Sequence, residues 1–133
     1  MENFLLSLGW WNFIGSIAML FMVYEPFGHN MLVVWTKMFK DDFKLNYWGK
    51  LWLLWAAGIN IFFGLMNIMA VKWGHLDVML FLTWMDLILY IIFVFLVIWG
   101  MQAKRMGSGA YSAFVIFGIW ISWAAYSLYT LNC

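Results

Sequence analysis

The sequence predicts an all-α protein: an integral membrane, antiparallel four-helix bundle of four transmembrane helices, with one interfacial amphipathic helix in the first loop. Three observations predict it. Of 133 residues, 67% are hydrophobic, 23% aromatic and only 10% charged. A water-soluble domain carries about a quarter charged residues, so these are too few to coat a wet surface. The apolar residues fall into four blocks, about 4–24, 51–71, 78–99 and 111–131, each near the ~20 residues that cross a bilayer as a helix. The blocks also lack the alternation of barrel strands, and lipid leaves the backbone no other partner-satisfied form than helix or closed barrel.

The first block carries Glu2 and no preceding Lys or Arg. Its apolar run exceeds a signal-peptide core, so it is expected to remain as the first helix. Glu25-Pro26 closes it, because the proline ring disfavours helix in the preceding residue. Gly74 is expected to end the second helix and Gly100 the third, with Gly107-Ser108-Gly109 a flexible run ahead of the fourth. No repeat or second domain is visible, and 1–133 reads as a single transmembrane domain.

Lys and Arg in short loops set orientation. Lys37, Lys40, Lys44 and Lys50 lie between the first two helices, and Lys104 and Arg105 between the last two; the opposite side holds only Lys72. The basic loops are therefore expected in the cytoplasm. The chain is expected to be multi-pass in the cell (inner) membrane, with both termini on the non-cytoplasmic side. Tyr47, Trp48, Trp52 and Trp99 fit an aromatic belt at the cytoplasmic face and Trp73 one at the other. The scattered cations are accounted for by topology, and nucleic acid is not an expected partner.

The one long loop contains MLVVWTKMFKDDFK, residues 31–44. At helical spacing Lys37, Lys40, Asp41 and Lys44 share a face, with Met31, Val34, Trp35, Met38 and Phe39 opposite. That pattern predicts a helix lying in the interface, its cations toward anionic headgroups. Asp42 falls at the apolar edge and goes against it. A helix packed under its own bundle or against another subunit is the alternative.

Inside the spans, small and polar residues are the informative ones, since lipid asks only for apolar side chains. Each span yields one stripe: Gly9, Asn12, Ser16 and Met19; Ala57, Asn60, Gly64 and Asn67; Thr83, Asp86, Tyr90 and Phe93; Tyr111, Gly118, Ser122 and Ala125, with Tyr126 beside it. Turned inward, the stripes would bring Asn12, Asn60, Asp86 and Ser122 into a slab roughly 10 Å thick, from the helical rise.

Asp86 stands out in LTWMDLILYIIF, residues 82–93, because no span holds an internal Lys, Arg or His. A lone buried carboxylate costs several kcal/mol or more. The expectation is a neutral acid, or an anion only beside water, a cation or a base from another chain. Asn12, Asn60, Ser122, Tyr90 and the indoles of Trp120 and Trp123 are the expected donors. Three readings stay open: a neutral acid bonding helices together, proton or ligand handling, and contact with a partner subunit. Asn60 and Asn67, one heptad apart around Gly64, read as packing rather than a substrate site.

Catalytic chemistry is sparse. Cys133 is the single cysteine, at the C-terminus outside any prenylation box. His29 and His75 are expected on opposite sides of the membrane, so they cannot jointly hold a haem iron. His75 and Asp77 in WGHLD (73–77) supply two ligands, which do not make a metal site; Asp41-Asp42 is flanked by lysines and reads as solvated. No metal is expected, and the sequence names no cofactor. The eleven Trp and eleven Met read as packing. The chain is thus expected to be a small non-catalytic subunit packing within a larger membrane complex, with the lipid bilayer and other membrane subunits as partners. The alternative is a binder of an apolar small molecule, or a proton-linked carrier, using the midplane cluster around Asp86. An enzyme would have only Asp86 and loop residues to work with.

Overall fold

The computed structural model describes residues 1–24, 30–40, 44 and 46–131, with the backbone alone at 31, 32 and 35. Four long helices dominate: α1 (Glu2–Val23), α2 (Tyr47–Trp73), α3 (Leu76–Gln102) and α4 (Gly109–Leu131). All four are long and apolar enough to cross a membrane. Their ends follow local chemistry. The Asn46 side chain accepts from the Gly49 N–H at 2.8 Å and starts α2, as a short polar cap does. Gly74 ends it at φ 70°, a left-handed conformation that glycine adopts without Cβ strain, and its N–H returns to Ala70 and Val71. Gly100 does not stop α3, which continues to Gln102. Its missing side chain instead makes room for Met106, whose Cγ would stand 2.9 Å from a methyl at that position.

The helices associate as two pairs. In the first, α1 lies on α2 with backbones nearly touching: a methyl on Gly64 would sit 2.7 Å from the Gly9 carbonyl oxygen, and one on Gly9 would sit 2.9 Å from that of Gly64. Gly9 faces Gly64 while Met19 meets Asn60, so the two run antiparallel. Small residues allow the close approach on which helix association in lipid depends. In the second pair, α3 and α4 run antiparallel around Tyr90, Phe93 and Phe117 at ring separations of 5.5–5.7 Å, with Val97, Ala110 and Ala113 beyond. Between the pairs contact is sparse, even where α2 and α3 are joined by a two-residue turn.

The shared core gathers Phe4, Leu5 and Leu8 of α1, Ala70 of α2, Met79, Leu82 and Tyr90 of α3, and Trp120 and Ala124 of α4. Trp120 and Trp123 stack at 5.9 Å, and Phe4 meets both rings edge-on. The perimeter is equally apolar, with Trp10, Ile14, Phe62, Phe81, Ile88 and Phe95 all exposed.

The first loop departs from expectation. Its helical part is a short π-helical turn, Asn30–Trp35, and residues 36–40 are irregular, so no continuous amphipathic helix runs through 31–44. Lys37 takes a positive φ of 51°, and Lys37 and Lys40 do not follow helical spacing. The cause is tertiary: the segment is pinned to the start of α4. Gly109 N–H donates to the Lys37 carbonyl and Gly107 N–H to that of Met38, both at 2.6 Å, and Phe39 pairs with Met106. The Gly109 bond satisfies an N–H that a helix start leaves open. Gly107-Ser108-Gly109 is therefore a docking surface and not a flexible spacer. A methyl on Gly109 would stand 2.6 Å from the Lys37 carbonyl carbon. Asp41, Asp42, Glu25, Pro26, His29 and Cys133 lie outside the described residues.

Candidate buried polar site

Three helices bring polar side chains together inside this apolar frame. Asp86, on the inward face of α3, is 1% exposed, and Asn67 of α2 is 0% exposed. The Asn67 Nδ2–H donates to Asp86 Oδ2 at 2.9 Å. One turn along α3, the Tyr90 hydroxyl donates to Asn12 Oδ1 of α1 at 3.2 Å. Both bonds cross from the α1–α2 pair to the α3–α4 pair, beside the apolar core that the two pairs share. Around them Ser16 returns its hydroxyl to the Asn12 carbonyl at 2.6 Å and Thr83 to that of Met79 at 2.7 Å. These two hydroxyls satisfy themselves within their own helices and leave the Asn and Asp groups to bridge.

One acceptor stays open. Among the described residues, Asn67 Oδ1 is the buried side-chain polar atom with no hydrogen-bond partner. Such an orphan costs about 1–3 kcal/mol in an interior, so a donor at this place would be strongly favoured.

The expected cluster is thus assembled in part. Asn12, Asn67, Asp86 and Tyr90 come together, and Asn60 and Ser122 do not. Asn60 is half-buried against α1, its amide 3.5 Å from Met19 Sδ. Asn67 lies nearer the α2–α3 turn than Asn60 does, and it is the α2 residue that reaches Asp86. Ser122 points outward with Tyr126, because α4 buries a different stripe: Ala113, Trp120, Ala124, Ser127 and Leu128. That stripe also recurs at three- and four-residue steps and was legible. Two hydroxyls, Ser122 and Ser127, lie on different faces of α4, and the small residue Ala124 goes with Ser127 to the core. Trp120 is 9% exposed and Trp123 half-buried, and they pack with Phe4 rather than with the acid.

The outward face of α4 carries a shallow, open groove along the one helix, lined by Phe114, Val115, Gly118, Ile119, Ser122, Trp123 and Tyr126. At the basic end, Lys37 and Lys40 line a separate cavity of about 560 Å³ with Val33, Val34, Phe39, Gly107 and Ser108. Lys44 is exposed, and the Trp35 side chain lies outside the described residues. Among the described residues no three His, Cys, Asp or Glu side chains gather as a metal site would require. The chain matches no protein-family model, no curated protein and no solved structure.

Proposed function

We propose that this chain is a small non-catalytic membrane subunit that packs against a transmembrane helix of a larger complex through the outer face of α4. The observation that carries this reading is the groove on that face. Gly118 and Ser122, four residues apart, leave a shallow dip among Phe114, Val115, Ile119, Trp123 and Tyr126. Small residues at this spacing let a second helix approach closely in lipid, and hydroxyls there bond across the contact. In this reading the four helices span the cell membrane, with the basic loops in the cytoplasm and both termini outside.

The test uses Gly118→Leu. A Cβ there meets nothing within 4 Å in the chain itself and points to the open face, so the variant should fold as the wild type does while filling the groove. Extraction from the native membrane in mild detergent should recover fixed partner chains with the wild type and lose them with G118L. Unchanged recovery of every partner, or a wild type that purifies alone, would refute the subunit reading. The acid-centred alternative keeps one specific support, the open acceptor on Asn67. With Asp86 and Asn67 closed off from solvent, that place suits a proton better than an organic ligand.

A further inference from the structure

We infer that Asn67 and Asp86 form a one-proton latch that fastens the α1–α2 pair to the α3–α4 pair; this stands independently of the subunit reading. A carboxylate offers only acceptors, whereas a carboxylic acid has one O–H to give. Asn67 already donates to Asp86 Oδ2, and its own Oδ1 lacks a donor. A proton on the other Asp86 oxygen supplies that donor, converting one hydrogen bond into a reciprocal acid–amide pair. A proton also needs no cavity, in keeping with the near-complete burial of both residues.

The surroundings supply no competing charge. Among the described residues the buried polar side chains of this region are Asn67 of α2, which touches the acid, Asn12 and Ser16 of α1, and Tyr90 and Thr83 of α3; on α4 the core side is Trp120 and Ala124. Tyr90 is the other titratable group among them. Glu2, Lys72, His75 and Asp77 are exposed at the helix ends. Loss of the proton to water leaves Asp86 as COO⁻, removes the second hydrogen bond and places an unpaired anion in the buried junction between the two pairs. The latched state is the protonated one, and the deprotonated seam opens.

Asp86→Asn separates the latch from mere packing, because an amide at 86 both accepts from Asn67 Nδ2 and donates to its Oδ1 at every pH. The experiment uses the full chain in lipid nanodiscs. Infrared difference spectra follow the protonated-acid carbonyl band, and spin labels on Ile14→Cys and Ile119→Cys in a Cys133→Ser background report α1–α4 separation. Tyr90→Phe controls for the tyrosine. In the wild type the acid band should be present at neutral pH, vanish in D86N, and fade on alkalinisation as the label distance lengthens. D86N should keep the short distance throughout. A carboxylate at neutral pH, a distance indifferent to loss of the acid band, or a D86N chain that does not fold would each overturn the latch.

Discussion

Asp86 and Asn67 depend on each other because both are buried and one hydrogen bond of 2.9 Å joins them. Asn67→Leu takes away the amide that donates to the acid and should destabilise the chain by about 1–3 kcal/mol. Tyr90→Phe removes a bond between neutral groups and should cost about 0.6 kcal/mol, the usual worth of an interhelical hydrogen bond in lipid. Unfolding in mixed micelles measures both, and a Tyr90 variant more damaging than the Asn67 variant would reverse that order. At this scale the sequence pointed well to Asp86, because one acid among apolar neighbours is visible without any geometry. Its partner was harder to see. Asn60 and Asn67 share a stripe, and only the packing of the helices decides that Asn67 reaches the acid while Asn60 meets Met19. Ser122 lies on the exposed face of α4 because that helix turns Ala113, Trp120, Ala124 and Ser127 to the core instead.

The helices themselves differ in how they hold together. The α1–α2 contact rests on two glycines whose backbones face each other, so Gly64→Leu must push α1 away. Overpacking of this kind costs about 1–3 kcal/mol, and here the nearest obstacle is backbone, the Gly9 carbonyl, which cannot swing aside. Gly58 of the same helix has open space where its side chain would be; Gly58→Ala should be neutral or stabilising by up to about 1 kcal/mol through helix propensity. Unfolding of the two variants side by side checks the contrast, and equal losses would contradict a backbone-close interface. The four helices were legible from block length and composition, their ends shifting by a few residues as capping groups took hold. The first loop was not, because its charge periodicity suggested a helix while Gly107 and Gly109 captured its backbone instead. Hydrogen bonds from the start of α4 to Lys37 and Met38 are contacts between distant segments, which no local pattern reports.

For the molecule as a whole, charge is segregated along the helix axes. The first loop is bonded to the α3–α4 connection, so Lys37, Lys40, Lys44, Lys50, Lys104 and Arg105 gather at one end. Met1, Glu2, Leu76 and Leu131 surround one cavity at the other, where Lys72 stands as the lone basic side chain. If the chain inserts as proposed, the positive-inside tendency puts the first end in the cytoplasm. In intact cells carrying Cys133→Ser, a membrane-impermeant maleimide should label His75→Cys at once and Ala103→Cys only after permeabilisation; the reverse pattern would invert the topology. The two helix pairs meet through one apolar core and a small buried polar cluster beside it, so the few polar side chains there bear on how the pairs fit together. The most direct test is a solid-state NMR measurement of dipolar coupling between the Asn67 side-chain ¹⁵N and the Asp86 carboxyl ¹³C in bilayers. A coupling strong enough for direct hydrogen-bond contact is predicted. No detectable coupling, with the carboxyl carbon instead correlating to lipid acyl chains, would contradict a polar seam between the helix pairs.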